Sequence, residues 1–243
     1  MVNGRGRPRG GADRLARWLD RGATTREIVA QWLDEAIPTA DATCLDAACG
    51  GRSMLATFRP RIGRLTGVDL HEPNEPLEWL DEFRVADLCR EPDAFPPRSF
   101  DVIHCAFALE HLDDPRQAIR TMHGWLRPGG WLVLTTVNRR HPLVAAYCGL
   151  PPVVARPLQR LLKASADDAH PLIARCNTPM AVRAAMVDAG LETIEMRTTG
   201  HLSRAWRRRL PAQVLGIAGD LTTRDRPARR STIVARGRRP RSG

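Results

Sequence analysis

Apolar positions recur along this chain with two periods, and the changes of period mark out its elements. From residue 13 to residue 37 the spacing is helical. Leu15, Trp18 and Leu19 share one face of a helix expected over Asp13–Arg21, which Gly22 ends. Thr24-Thr25-Arg26-Glu27 has the form of a capping box and opens a second helix, with Ile28, Trp32, Leu33 and Ile37 on one face and Pro38 at its close. The aliphatic neighbours of Trp32 at helical spacing make it a core or cover residue rather than a stacking platform. From residue 44 the runs shorten. Cys44–Ala48, Arg64–Asp69, Phe83–Ala86, Ser99–Cys105 and Trp131–Val137 read as five buried strands. A helix-like run, Ser53–Phe58, follows the first, and a helical turn, Leu77–Asp81, precedes the third. Asp113-Asp114-Pro115 caps and starts an amphipathic helix whose apolar face is Ala118, Ile119, Met122 and Leu126. Residues 139–176 break the pattern, with scattered prolines and helix-like pieces at Leu143–Cys148 and Val153–Lys163. A helix from Thr178-Pro179 to Ala189, a strand Leu191–Arg197, a helix Ser203–Gly216 and a strand Ser231–Ala235 complete the chain.

Strands that alternate with helices or crossover loops predict an α/β fold. It is a Rossmann-like, mostly parallel seven-stranded sheet with helices on both faces and an antiparallel hairpin at one edge. The N-terminal helices and the helical insertion after strand five, 139–176, are then expected to cover the substrate. Residues 1–11 have no apolar period and read as a disordered basic tail. The domain is expected over 12–236, and 237–243 reads as a second basic tail. Within this frame the stretch Cys44-Leu45-Asp46-Ala47-Ala48-Cys49-Gly50-Gly51-Arg52-Ser53 is strand, glycine turn, helix. That arrangement places a nucleotide-like ligand at the positive end of a helix. Asp69 lies 23 positions beyond Asp46 at the end of the next strand, where a carboxylate accepts from ribose hydroxyls.

Charge first suggests nucleic acid, because the formal net charge is +10. Its location argues otherwise. Residues 1–17 hold five arginines against one aspartate and residues 224–243 eight against one, which leaves the middle of the chain near neutrality. A nucleic-acid footprint needs a basic patch on the folded domain, so nucleic acid is not the expected partner. Six cysteines form no C-x-x-C pair, and Cys44 and Cys105 fall inside strands as small hydrophobes. The N-terminus lacks the apolar core of a signal peptide, and no run approaches the ~20 apolar residues of a membrane span. A reducing cytoplasm is the expected location.

Five boxes in order give the middle of the chain a specific likeness. Residues from about 42 to 138 resemble class I S-adenosylmethionine-dependent methyltransferases of the "methyltransferase type 11" group. The boxes are Leu45-Asp46-Ala47-Ala48-Cys49-Gly50, Gly67-Val68-Asp69, Val85-Ala86-Asp87-Leu88, Ser99–Cys105 with Leu109-Glu110-His111-Leu112, and Leu126-Arg127-Pro128-Gly129-Gly130-Trp131-Leu132. The resemblance implies S-adenosyl-L-methionine as cofactor. It implies that Asp46, Ala48, Cys49 and Gly50 hold the methionine end, with the backbone of Cys105 and Ala106 beside it. Asp69 would take the ribose, Asp87 the adenine amino group, and Leu70 and Leu88 the walls of the ring. The family has glycine where this chain has Ala48 and Arg52. If the latter position needs positive φ, Arg52 is strained and Gly51 takes over that conformation.

Rival chemistries fit less well. A dinucleotide-dependent dehydrogenase expects G-x-G-x-x-G, and Ala48-x-Gly50-x-x-Ser53 fails at two of three places. A base-methylating nucleic-acid enzyme expects an Asn/Asp-Pro-Pro-Tyr-like turn after strand four, where this chain has Cys105-Ala106-Phe107-Ala108. No acidic cluster suggests a metal. The expected function is a single in-line methyl transfer to a small molecule, with positioning as the main catalytic device. His111 is the choice for a general base, ahead of His141, Asn138, His170 and His201. The alternatives are a methyltransferase-like binding protein that has lost catalysis and an RNA-directed enzyme using its arginine tails.

Overall fold

The computed structural model describes residues 11–38, 41–151, 153–155, 157–158, 172–206 and 210–241. Its seven strands are β1 (Ala42–Ala47), β2 (Ile62–Asp69), β3 (Glu82–Val85), β4 (Phe100–Ala106), β5 (Leu126–Val137), β6 (Glu192–Thr199) and β7 (Thr232–Arg238). They form one sheet in the order β3-β2-β1-β4-β5-β7-β6. The first five run parallel, and β7 lies antiparallel between β5 and β6. Strand order reverses between β1 and β4, so the carboxyl ends of these two strands part and leave a crevice.

The helices are α1 (Gly11–Asp20), α2 (Thr25–Ala36), α3 (Pro115–Trp125), α4 (Pro142–Cys148), α5 (Pro179–Asp188), α6 (Leu202–Ala205) and α7 (Leu210–Thr223). Local chemistry sets their starts. Thr24 and Glu27 make a reciprocal capping box on α2. Asp114 accepts from the Gln117 amide at 2.9 Å with Pro115 in the first turn of α3, and Thr178 accepts from Ala181 at 3.2 Å on α5. α3 ends at Trp125, one residue short of the expected face. Leu126 turns to extended backbone and begins β5, and Arg127–Gly130 lies within that strand as an irregularity in its register against β4.

A helix is missing where the sequence predicted one. Only residues 48–61 separate β1 from β2, and the glycine turn uses the first of them. Too few remain for an α-helical crossover, and Pro60 would interrupt one, so Leu55–Arg61 closes as a 3-10 turn. The sheet face left bare is covered by α2. Ile28, Val29, Trp32, Leu33 and Ile37 pack there with Cys44, Leu55, Leu65, Val102 and Val234 in one buried cluster. The N-terminal helices are therefore not the expected substrate cover: α2 is core, and α1 lies against α7. The opposite face is filled by α3 and α5, with Ile119, Met122, Trp125, Val182 and Met186 packed on Leu45, Ile103 and Leu134.

The expected C-terminal tail is also corrected. β7 runs through Gly237 to Arg238, and Arg239 donates to the carbonyls of His123, Gly124 and Leu126 at 2.8–3.0 Å, capping α3 with a cation. Arg236 reaches Glu35 and Glu195 and lies against the rings of Trp32 and Trp131, about 5 Å from each centroid. The piece expected at Val153–Lys163 falls largely outside the described residues, as do residues 1–10.

One buried acid ties α1 to the far edge of the fold. Asp20 accepts from the Gly200 amide, and its other oxygen has no partner. Burial, with Asp220 close by, pushes its carboxyl up to about 7 against the pull of the Gly200 amide. A raised carboxyl favours the protonated folded state. Its contribution is fully present below the ordinary carboxylate range near 3.8 and is lost as pH rises towards 7. Asp20→Asn should remove that dependence: the difference in urea midpoint between wild type and variant should shift in favour of the variant from pH 4 to pH 7.

Candidate active site

The carboxyl ends of β1, β2 and β4 open into a cleft of about 880 Å³. One end is built from the glycine turn. Asp69 accepts from the Gly50 amide through Oδ2 at 3.0 Å and from the Leu70 amide through Oδ1 at 2.7 Å. The carboxylate is thereby locked to the turn, and each oxygen keeps a further lone pair for a diol. Gly50 stands at φ +50, and a Cβ built on it would meet nothing within 4 Å, so the turn shows bare backbone to the cleft.

Ala48, Cys49, Gly50, Asp69, Leu70, Asp87, Leu88 and Ala106, all expected at the cofactor, line this cleft together with His111. Two expected residues do not. Asp46 lies in the register of β1 opposite His104 on β4, buried, with Oδ1 3.3 Å from His104 Nδ1. It stays within the sheet beside His104, with Oδ2 unpartnered, and does not reach the cleft. Cys105 is fully buried in the core on the other face, and only its neighbour Ala106 reaches the cleft. Asp87 is held by its own loop: it accepts from Cys89 N and Arg90 Nη1, both at 2.7 Å. Burial opposes ionisation, yet these two donors hold its carboxyl below the usual range.

Strain sits elsewhere than expected. Arg52 lines the cleft but is not among the residues of positive φ, and Gly51 does not take over such a conformation. Ala48 at φ +55 and Phe107 at φ +53 do, at the ends of β1 and β4. Left-handed backbone at a non-glycine residue costs on the order of 1–2 kcal/mol, and both positions face the cleft.

The other end of the cleft is apolar, and sequence patterns did not reveal it. Phe107, Leu143, Val144, Tyr147, Leu202 and Trp206 wall it. They come from the β4 turn, α4 and α6, with no fixed spacing to signal them. The Phe107 ring stacks on His201, centroids 5.2 Å apart. Burial pushes the His201 imidazole down to about 4, so it stays neutral near pH 7. Glu110, a member of the fourth-strand box, is buried at the cleft wall and accepts from Thr136 Oγ1 at 2.8 Å. Thr136 in turn accepts from Asn177. His111 stands beside it at the turn, its amide bonded to the Ala108 carbonyl at 2.8 Å. Of the weaker candidates, Asn138 and His141 are buried and spent on backbone carbonyls, while His170 lies outside the described residues.

The cysteines at β1 and the glycine turn are unreactive. Burial pushes the Cys44 and Cys49 thiols up to about 12, so neither supplies a thiolate at neutral pH. Among the described residues no group of three or more His, Cys, Asp or Glu is placed to hold a metal ion. No helix among them is long and apolar enough to cross a membrane.

A doubly wound sheet with a glycine turn, a carboxylate locked to it and an apolar end in the same cleft is the setting in which such folds hold nucleoside ligands. Comparison with known proteins makes the class specific. The family model described as "Methyltransferase domain" matches residues 12–196, and the chain belongs to that family. Its fold is that of class I S-adenosylmethionine-dependent methyltransferases. The ubiquinone biosynthesis O-methyltransferase of Pseudomonas paraeruginosa is 32% identical over 136 residues, 51% of this chain and 59% of that protein. The protein of the same description from Albidiferax ferrireducens is 33% identical over 122 residues, 45% of this chain and 46% of that one. The chain thus spans about half the length of the curated relatives it matches. Among solved structures, Haemonchus contortus phosphoethanolamine N-methyltransferase 2 in complex with S-adenosyl-L-methionine superposes with a TM-score of 0.60 at 15% identity, over 93% of this chain and 56% of that one. The [4+2]-cyclase SpnF superposes with a TM-score of 0.57 at 15% identity, over 88% and 80%. S-adenosyl-L-methionine is the cofactor of this class, and the Asp69–Gly50 clamp with the bare backbone beside it fits an adenosyl group and its amino-acid arm.

Replacing Ala48 by glycine should relieve the strain without disturbing the turn. Ala48→Gly should raise the unfolding free energy by up to about 1 kcal/mol, read from urea denaturation.

Proposed function

We propose that the protein is an S-adenosylmethionine-dependent methyltransferase acting on a small molecule with an apolar, ring-bearing body and a nucleophilic hydroxyl. One observation carries this reading: the polar clamp of Asp69 and Gly50 and the apolar chamber of Phe107, Leu143, Val144, Tyr147 and Trp206 are two ends of one cleft. A donor and an acceptor held there approach each other past Ala106 and Phe107. The O-methyltransferase relatives agree with an oxygen acceptor.

S-adenosylmethionine, when bound, supplies a methyl group already activated on a sulfonium. Catalysis by the chain is then positioning, water exclusion and proton handling. Asp69 orients the ribose, Leu70 and Leu88 flank the base, and Asp87 faces it from the end of β3. Leu143, Val144 and Tyr147 of α4, with α6, cover the acceptor, whose ring packs on Phe107 and Trp206. His111 takes the proton of the acceptor hydroxyl as the new bond forms, with Glu110 fixed next to it by Thr136.

Two observations bear on the alternative readings, and the arginine tail at residues 1–10 lies outside the described residues. A protein that has lost catalysis was suggested by Arg52, whose backbone is unstrained. An RNA-directed enzyme needed free arginine tails, whereas Arg236, Arg238 and Arg239 are tied into the fold. The cyclase neighbour shows that this fold also hosts other reactions, which makes the methyl count the decisive measurement.

Methyl transfer from labelled S-adenosylmethionine to a panel of apolar phenols and catechols should be detected, and should vanish in Asp69→Ala with loss of S-adenosylhomocysteine affinity in calorimetry. Binding that is equal in wild type and Asp69→Ala would sink the site assignment. His111→Gln should lower kcat by about 100-fold or more while leaving S-adenosylhomocysteine affinity unchanged.

A further inference from the structure

The outer surface of α7 is a long apolar one. Its sequence, Leu-Pro-Ala-Gln-Val-Leu-Gly-Ile-Ala-Gly-Asp-Leu-Thr-Thr, carries one charge, and that charge is buried. The inward face is made of small residues. Ala212, Gly216, Gly219, Asp220 and Thr223 are buried, and a Cβ at Gly216 would come within 2.7 Å of the Leu202 backbone. At Gly219 it would come within 2.7 Å of Leu143 Cδ1. The helix is therefore pressed onto α6 and α4, whose other sides wall the apolar chamber. Its larger residues point outward: Leu210 is 77% exposed and Val214 66%, with Leu215, Ala218 and Leu221 also exposed along the same side. Contiguous apolar surface of this kind marks a contact with another phase or partner.

α1 extends the surface. Arg224, directly after α7, lies over the Trp18 ring at 4.1 Å and donates to the Trp18 carbonyl at 2.9 Å. Trp18 is 52% exposed and Leu15 is exposed next to it. Around these apolar groups stand Arg14, Arg17, Arg21, Arg226 and Arg229, all exposed, against Glu27 and Asp225 as the acids paired with Arg17 and Arg21. The result is an apolar stripe with a tryptophan and a rim of net positive charge, in which Arg14, Arg226 and Arg229 add to two arginine–acid pairs.

We propose that α7 and the adjoining face of α1 dock this protein onto an anionic phospholipid surface. The rim chooses the occupant. In a two-fold contact between copies the arginines would face one another, whereas a negatively charged bilayer complements them. Gln213 and Thr222 are the polar side chains that the helix leaves at least partly exposed, fewer hydrogen-bonding groups than a specific protein partner reads. Aliphatic side chains on one side of a helix, a Trp and flanking arginines are the composition of a helix lying in the headgroup plane. Such docking would place the acceptor chamber, one helix layer away, against the membrane. It does not depend on which molecule is methylated.

Vesicles test it. The full-length protein should sediment with vesicles of phosphatidylglycerol and phosphatidylcholine in equal parts, and much less with phosphatidylcholine alone or at high salt. Val214→Asp combined with Leu221→Asp should weaken sedimentation by about tenfold or more, since each places a charge where an apolar side chain would enter the lipid. Arg14→Gln with Arg226→Gln should weaken it on the anionic vesicles only. Circular dichroism, unfolding midpoint and S-adenosylhomocysteine affinity should remain those of wild type, because these side chains point away from the core and the cleft. Wild type that stays in the supernatant with anionic vesicles would overturn the proposal. So would an aspartate double variant that sediments as wild type does, or light scattering showing a dimer that the double variant dissolves while vesicles bind neither.

Discussion

The short link between β1 and β2 governs the rest of this structure. Residues 48–61 must make a tight turn, cross the sheet face and re-enter it in parallel, and they do so without an α-helix. Two duties of the absent helix pass to other parts. Its positive end no longer faces the glycine turn, and the turn is held instead by the Asp69 carboxylate on the Gly50 amide. Its apolar side no longer covers the sheet, and α2 arrives from the N-terminus to fill that face with Trp32 and Leu33. With the N-terminus used as core, the acceptor side of the cleft is left to α4, α6 and the chain around them.

Buried polar groups mark the line between scaffold and site. Asp46 and His104 face each other across β1 and β4 beneath the glycine turn, and Glu110, Thr136 and Asn177 form a second buried set beside His111. The second set joins the turn after β4 to β5. Desolvation makes such groups costly unless they are held, and holding them fixes the turns they support. The left-handed conformations of Ala48 and Phe107 occur at these same two strand ends, so the strain and the bracing coincide.

The arginines divide by position along the chain rather than by kind. Arg236, Arg238 and Arg239 lie on or just after β7 and serve the fold, through two tryptophan faces, two glutamates and the carbonyls at the end of α3. Arg14, Arg17, Arg21, Arg226 and Arg229 remain on the surface around α1 and the end of α7. The formal net charge of +10 thus mixes, among the described residues, arginines spent on the fold with arginines left on the surface.

The sequence by itself determined the mostly parallel sheet with its antiparallel edge hairpin, the caps and the residues around the glycine turn. Asp114 with Pro115, Thr24 with Glu27, and the Gly50–Asp69 spacing are local chemistry, and interactions within a few residues or between adjacent strand ends leave periodic or spaced signatures. Asp46 and Cys105 were misplaced because strand alternation sends neighbouring residues to opposite faces, and only the packed sheet shows which face is open. Only the tertiary structure decided that the predicted helix after β1 collapses to a 3-10 turn, that α2 is core, and that the chain's last arginines belong to the fold. The apolar chamber of Phe107, Leu143, Tyr147 and Trp206 was likewise settled in three dimensions. Its residues come from segments up to about a hundred positions apart, and nothing but the packing of α7 on α6 and α4 brings them together.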